Sequence, residues 1–125
     1  MTPVETVLQF MTRINQRDPD KLAELMTEDH VFIDSLKNQV RGRAAMTKGW
    51  RGYYGMCPDY WVSHDDIFAN GNVVATFGSA GGTIGGTKWE ISAAWRALVR
   101  DGLVQEWRVY ADNKPVYDIL AKAPK

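Results

Sequence analysis

Asp34 is the residue of this sequence that is best placed to carry out acid–base chemistry. It ends a short apolar segment, residues 30–34, whose composition is typical of a β-strand. A carboxylate at a strand end can act as a general base when burial in an apolar pocket raises its pKa. The alternative is a structural role, in which the same carboxylate accepts hydrogen bonds from backbone amides of the next loop. The sequence leaves both interpretations open.

His64 is the second candidate for proton transfer, because the unperturbed pKa of a histidine lies near neutrality. Asp65 and Asp66 follow it directly. Side chains of adjacent strand residues point to opposite faces, so Asp66 is the better placed partner of the two. The competing interpretation is a solvent-exposed surface histidine.

Four large aromatic residues are candidates for lining a ligand pocket: Trp50, Tyr54, Trp95 and Trp107. The sequence contains five Trp, five Tyr and four Phe, which is more aromatic surface than the packing of so small a domain requires. Flat apolar side chains are typical of sites that bind small apolar organic molecules. The alternative is that these four residues simply fill the hydrophobic core.

No motif in the sequence predicts a metal or a cofactor. Two histidines and one cysteine provide no ligand cluster with the spacing of a metal site. Cys57 has no histidine placed to form a catalytic pair with it. The glycine-rich residues 81–86 fit neither the dinucleotide fingerprint nor a phosphate-binding loop. A hairpin connection between two strands explains them better.

Charge and composition exclude some classes of binding partner and predict the cellular compartment of the protein. Lys+Arg 15 and Asp+Glu 15 give a formal net charge of +0, which argues against nucleic acid or an anionic membrane as the main partner. The first residues lack the features of a signal peptide, and no apolar stretch reaches the length of a membrane span. The single cysteine excludes an intramolecular disulfide. Together these observations predict a cytoplasmic protein.

Three helices are predicted before a run of strands. A capping box at Thr2 and Glu5 starts the first helix, which is predicted to end near Arg17. The sequence Asp-Pro-Asp at 18–20 starts a short second helix, and a third is predicted over roughly 44–54. Helices first and an antiparallel sheet second predict one α+β domain over residues 1–125, whose sheet wraps around the helices. The last residues, 121–125, are predicted to fray.

Strand patterns fill the second half of the sequence. The hairpin turn signal Asn70-Gly-Asn72 separates the first two of these segments. Period-two alternation and turn residues predict strands over 61–68, 73–80, 88–99 and 103–112.

The turn between the last two strands predicts how they pair. Arg-Asp-Gly at 100–102 fits a three-residue loop with a glycine bulge. In that register Trp95 lies opposite Trp107 on the core face, and Arg96 lies opposite Glu106 on the outer face as an ion pair.

Apolar residues are also predicted on the outer face of these two strands. They are Ala94, Leu98, Val104 and Tyr110. An exposed apolar face of this kind predicts that a second subunit covers it, so the protein is expected to be a homodimer.

Several motifs resemble the SnoaL-like family of the nuclear-transport-factor-2-like superfamily. They are Asp-Pro-Asp-x-Leu-x-x-Leu at 18–25, a strand ending in Asp34, Gly-Arg-x-Ala at 42–45, and Trp-Arg-Val-Tyr-Ala-Asp at 107–112. The resemblance implies a cone, in which three helices cover the concave face of a curved antiparallel sheet and leave a pocket. It also implies isomerisation, cyclisation or dehydration of a small organic molecule without a metal. Other members of this superfamily only bind or scaffold, so a non-catalytic module is the alternative.

The resemblance assigns Asp34 the position of the general base of ketosteroid isomerase. Phe10 stands where that enzyme has a tyrosine, and residues 93–95 contain no acidic group, so its oxyanion hole is missing. Val109 stands where limonene epoxide hydrolase has a catalytic aspartate. The resemblance therefore implies a pocket with Asp34 as general base but does not specify the reaction.

Overall fold

A capping box starts the first helix of the computed structural model, which describes residues 1–122. Thr2 Oγ1 accepts a hydrogen bond from the Glu5 amide, and the Glu5 carboxylate accepts one from the Thr2 amide, as the sequence predicts. Helix α1 spans Pro3–Gln16 and ends where Arg17 adopts a left-handed φ of 58°. Two more helices follow before most of the sheet: α2 at Pro19–Ala23 and α3 at Arg43–Met56.

Six strands form a single sheet in the described part of the chain. They are β1 (Met26–Ile33), β2 (Gln39–Arg41), β3 (Trp61–Asn70), β4 (Val73–Ile84), β5 (Thr87–Arg100) and β6 (Leu103–Ala111). The strand order is β2-β1-β6-β5-β4-β3. β1 and β6 run parallel, and the other neighbouring pairs are antiparallel. Helix α1 packs against β3, β4, β5 and β6, so the architecture is the α+β cone that the sequence predicts.

The main differences from the predictions are two strand boundaries and two additional elements. β1 begins at Met26 and β4 continues to Ile84, while β2 and a C-terminal helix α4 (Lys114–Lys122) were not predicted. Ala121 and Lys122, which were predicted to fray, are the last two residues of α4. Residues 123–125 of the predicted frayed tail lie outside the described residues. None of the described helices is both long enough and apolar enough to span a membrane.

The glycines in the second half of β4 are required by close packing. A Cβ on Gly81 would lie 2.6 Å from the Trp61 ring, and one on Gly82 would lie 2.4 Å from Cys57 Sγ. The turn itself is formed by Gly85 and Gly86, both with positive φ. Most of the glycine-rich run 81–86, which the sequence predicts as a hairpin connection, is therefore part of the strand. Glycine is needed at 81 and 82 because neighbouring side chains occupy the space that a Cβ atom would take.

The predicted register of β5 and β6 is wrong. Asp101 and Gly102 both have positive φ, which gives a two-residue type I′ turn, the arrangement that an Asp-Gly pair favours. A bulge then shifts the pairing, so that Trp95 lies opposite Val109 and Arg96 opposite Arg108. The bulge also turns Val104 into the core, where it is fully buried, rather than onto the predicted outer face.

The net shift is two residues, so the predicted core face is retained. Trp95 and Trp107 stack diagonally with ring centroids 6.0 Å apart and an interplanar angle of 18°. Arg96 still reaches Glu106 diagonally, with Nη1 2.8 Å from Oε2. An even shift changes which residues are opposite without changing which face they occupy.

His30 is a fully buried histidine inside this core. Its Nδ1–H donates to the Val104 carbonyl oxygen at 2.7 Å, while its Nε2 has no hydrogen-bond partner among the described residues. Burial lowers the pKa of the His30 imidazole below its ordinary value, because the charged form would lose its hydration. The neutral ring is therefore the folded form at neutral pH.

The free energy of unfolding should fall as the pH drops below about 6.5. The folded pKa of His30 lies below the unfolded one, so the unfolded chain binds the extra proton and acid favours it, by at most about 1.4 kcal/mol per pH unit. Urea unfolding at several pH values between about 5.5 and 7.5 measures this slope. His30→Gln should flatten it, whereas His64→Gln, which changes the exposed histidine, should leave it intact. An unchanged slope in His30→Gln would contradict the assignment.

Candidate functional site

A cavity of about 330 Å³ lies between α3, the sheet and α4. This volume is at the lower end of the range of small-molecule sites, about 300–1,000 Å³. Its walls are mainly apolar and aromatic side chains: Phe32, Val40, Met46, Trp50, Tyr53, Met56, Tyr60, Trp89, Ile91, Trp95, Trp107, Val109, Val116, Tyr117 and Leu120. Of all the described lining residues, Asp34 alone carries a charge.

The periodicity of each element selects which of its residues face the cavity. α3 contributes Met46, Gly49, Trp50 and Tyr53, which recur every three or four residues along one helix face. β5 contributes Trp89, Ile91, Ala93 and Trp95, which alternate along one face of the strand. Because α4 contributes Val116, Tyr117 and Leu120, the unpredicted C-terminal helix closes a third side.

The Asp34 carboxylate lies at the cavity wall and also anchors its own loop. Oδ1 accepts hydrogen bonds from the amides of Leu36 and Asn38, each at 2.9 Å, and Oδ2 accepts one from Asn38 Nδ2 at 3.0 Å. Each carboxylate oxygen has two lone pairs, so Oδ2 keeps one that is free to take a proton. The structure therefore shows the loop-anchoring hydrogen bonds of the structural interpretation and leaves a lone pair of Oδ2 without a donor among the described residues.

Two polar residues beside Asp34 connect its loop to α4. Asn113 Nδ2 donates to Ser35 Oγ at 2.8 Å, and both residues line the cavity. Because α4 starts directly after Asn113, this bond ties the helix that closes the cavity to the loop that carries Asp34.

Four aromatic side chains form one wall, which we call the aromatic wall: Trp50, Tyr53, Tyr60 and Trp89. Tyr53 and Tyr60 meet edge to face with centroids 4.9 Å apart, and Tyr60 stacks on Trp89 at 6.0 Å. Trp50 contacts both tyrosines, at 6.3 and 6.1 Å. Burial raises the pKa of the Tyr53 and Tyr60 phenols, so both remain protonated at neutral pH.

The loop before β3 is held so that Tyr60 completes this wall. Asp59 Oδ1 accepts from the Thr83 amide, and Asp59 Oδ2 accepts from Thr83 Oγ1, both at 2.7 Å. These hydrogen bonds lower the pKa of the Asp59 carboxyl. On the other side, Arg17 Nε donates to the Tyr60 carbonyl oxygen at 2.9 Å.

The structure brings Asp34 together with Trp50, Trp95 and Trp107 at the cavity. Tyr54 lies outside the lining, because one step along the helix turns it by about 100° from Tyr53. Its hydroxyl donates to the Ile14 carbonyl oxygen at 2.7 Å, and its ring stacks on Trp50 at 5.4 Å. Tyr54 thus supports the pocket from behind.

The fold separates His64 from Asp34. His64 is exposed on β3, which is the edge strand farthest from β1, with β6, β5 and β4 between them. His64 and Asp34 therefore do not lie close enough to share one proton-transfer site. Among the described residues, no cluster of histidine, cysteine and acidic side chains has the geometry to hold a metal ion.

Tyr60 and Trp89 are cavity residues that the sequence reasoning missed. Trp89 has a usable signal, because it shares its strand face with Trp95, six residues on. Tyr60 has no such signal, because it lies in the loop after Pro58. Only its contacts with residues distant in the sequence, such as Trp89, bring it to the cavity.

The fold and the cavity define a class of protein: an α+β cone of the nuclear-transport-factor-2-like superfamily with an apolar pocket. The model of the SnoaL-like domain matches residues 7–107, and the chain belongs to this family. No functionally curated protein matches the chain significantly in sequence.

Solved structures with the same fold span several activities by name. One described as a SnoaL-like polyketide cyclase, from Jannaschia sp. CCS1, has a TM-score of 0.84 at 19% identity and covers 98% of this chain and 93% of its own. An LEH-like epoxide hydrolase of M. tuberculosis has a TM-score of 0.81 at 24% identity, covering 95% and 86%. A loop-truncation variant of IdmH has 0.80 at 26%, covering 95% and 99%.

Two alanines of β5 provide a test of whether the cavity is open space. Ala93 lines the cavity, whereas Ala97, on the same strand face, is only 1% exposed and packs in the core. Ala97→Leu should lower the free energy of unfolding by about 1–3 kcal/mol through overpacking. Ala93→Leu should lower it by less than about 1 kcal/mol or raise it, because the added atoms enter the cavity. Urea unfolding measures both, and equal losses would show that Ala93 has no open space beside it.

Proposed function

We propose that this protein binds a small, mostly apolar organic molecule in the cavity. We further propose that Asp34 moves a proton during metal-free isomerisation, cyclisation or dehydration of that molecule. The observation that carries the proposal is the charge distribution: the one charged group lining the described cavity is a carboxylate with a free lone pair. The names of the structural relatives, a polyketide cyclase and an epoxide hydrolase, support a pocket for organic molecules.

The apolar surroundings favour such chemistry for two reasons. The apolar walls exclude water from the reacting part of a bound molecule. Removal of a proton from a carbon next to a carbonyl begins isomerisation, aldol-type cyclisation and elimination of water alike. One general base in a shaped pocket is thus compatible with all three reactions.

The alternative is a non-catalytic module that binds a ligand or a protein. The three hydrogen bonds that Asp34 accepts from its own loop favour this alternative, because they give the residue a structural role that needs no reaction.

Asp34→Asn should abolish proton transfer and leave binding nearly intact. The amide oxygen can still accept from the Leu36 and Asn38 amides, and a flip of the Asn38 amide restores the third bond. A suitable measurement is deuterium exchange beside the carbonyl of β-tetralone in heavy water, followed by NMR. The variant should lose the general-base contribution, about 10²–10⁴-fold in rate.

Asn38→Ala is the matched control for this experiment. It removes the hydrogen bond to Oδ2 but keeps the carboxylate, so exchange should persist. If Asp34→Asn exchanges β-tetralone as fast as the unchanged protein, Asp34 is not the base. If the unchanged protein binds the ketone without accelerating exchange, the non-catalytic module is the better description.

We also propose that the outer face of the sheet forms a homodimer. Phe77, Ala94 and Tyr110 lie in one row across β4, β5 and β6, and Phe68 contacts Phe77 with centroids 6.3 Å apart. Phe68, Phe77 and Tyr110 are 63%, 45% and 47% exposed, which is typical of a surface that a partner covers.

Phe77→Glu should convert this dimer to a monomer, because it places a charge at the centre of the apolar row. Size-exclusion chromatography with light scattering measures the mass. Leu36→Glu, at an apolar residue that is 64% exposed in the loop between β1 and β2, should leave the dimer intact. A monomeric unchanged protein would refute the proposal and leave the face free for another protein.

We also propose that the protein is cytoplasmic, because a single cysteine is typical of a reducing compartment. The balanced charge supports a protein without a nucleic-acid or membrane partner.

A further inference from the structure

Four of the described residues that line the cavity are also exposed to solvent, and they mark its mouth. Met56 on α3 is 38% exposed, and Tyr117 and Leu120 on α4 are 41% and 38% exposed. Gly49 on α3 is exposed as well. Every other described lining residue is buried or half-buried. Because two of the four belong to α3 and two to α4, the cavity opens between these two helices.

Gly49 is the one residue at this mouth that has no side chain. It precedes Met56 by about two helical turns, so both residues lie on the same side of α3. Met56, Tyr117 and Leu120 are all large and apolar. The rim of the cavity therefore consists of three large apolar side chains and a gap at Gly49.

The packing of the protein itself does not require glycine at position 49. A Cβ atom there would lie 3.6 Å from Met46 Sδ and 4.0 Å from Met46 Cε, which is ordinary van der Waals contact. The φ of Gly49 is not among the positive values, so no left-handed backbone needs glycine either. Gly81 shows the contrast, because a Cβ there would overlap the Trp61 ring.

Glycine inside a helix destabilises it, because glycine loses more backbone freedom on folding than any other residue. Position 49 lies well inside α3, and contacts within the described chain do not account for glycine there. The space left by the missing side chain belongs to the mouth of the cavity. A molecule that passes through the mouth would use this space.

We infer that the ligand enters the cavity between α3 and α4 and that Gly49 sets the width of this entrance. The inference rests on the proposed binding function, and it adds the route of entry and a residue that selects ligands by their cross-section. A side chain at position 49 would point back along the helix over Met46, where it would narrow the path. The apolar rim suits an apolar molecule, because its side chains demand no hydrogen-bonding group.

Gly49→Leu should narrow the entrance and leave the bound state almost unchanged. The rates of binding and release should both fall, on the order of 10-fold, because overpacking in the path raises the one barrier that both directions cross. The equilibrium affinity should therefore stay nearly the same. Stopped-flow fluorescence with prodan, a neutral naphthalene dye whose emission rises in apolar surroundings, measures both rates, and a titration measures the affinity.

Gly52→Leu is the matched control. Gly52 is exposed in the same helix but does not line the cavity, and a Cβ placed there would meet no neighbouring atom within 4 Å. Both variants replace glycine by a good helix former, so both should raise the urea midpoint. Gly52→Leu should leave the binding and release rates of prodan unchanged.

Leu120→Ala tests the opposite rim of the entrance. It removes an apolar side chain that is exposed on α4 and lines the cavity. Because the mouth becomes wider, binding and release of prodan should both be faster than in the unchanged protein. Slower binding in this variant would contradict an entrance between α3 and α4.

The outcomes separate this inference from the proposed function. If Gly49→Leu binds prodan at the unchanged rate, or if Gly52→Leu slows it equally, the inference is wrong and the pocket function stands. A loss of affinity at an unchanged association rate would place Gly49 against the bound ligand, which also overturns the inference. If the unchanged protein does not bind prodan, the proposed function and the inference both fail.

Discussion

The parallel pairing of β1 with β6 is the interaction on which the site depends. It joins segments about 75 residues apart in the chain, with Phe32 opposite Trp107 and Ile33 opposite Arg108. His30 stabilises the pairing from inside the core through the hydrogen bond to the Val104 carbonyl oxygen. Because Asp34 follows β1 directly, this pairing alone places its carboxylate beside the Trp107 side of the cavity.

A second constraint brings the aromatic wall together at the other end of the sheet. Gly81 and Gly82 allow the backbone of β4 to approach Trp61 and Cys57, and Asp59 fixes the preceding loop to Thr83. The close approach is what puts Tyr60 against Trp89. The aromatic wall thus depends on the close approach of the β4 backbone to the loop before β3. Its rings then stabilise one another through edge-to-face and stacked contacts.

Asp34 anchors its own loop with one carboxylate oxygen and keeps the other partly free. Its Oδ1 is saturated by the amides of its own loop, which orders the chain between β1 and β2. Its Oδ2 accepts only one bond, from the flexible amide of Asn38. A carboxylate held rigidly by one oxygen and left partly free at the other is oriented without being neutralised, which is the arrangement that proton transfer needs.

The sequence by itself determined the class of the fold, the starts of the first three helices, most of the strand faces and the place of Asp34. These depend on local signals: the capping residues at Thr2 and Asp18, period-two alternation, and an apolar strand before a carboxylate. Only the tertiary structure decided the β5–β6 register, the separation of His64 from the site, and the meeting of Tyr60 with Trp89. A bulge, the order of strands in a sheet and a close backbone contact each depend on partners far away in the chain. Residue patterns within one segment contain no information about such partners.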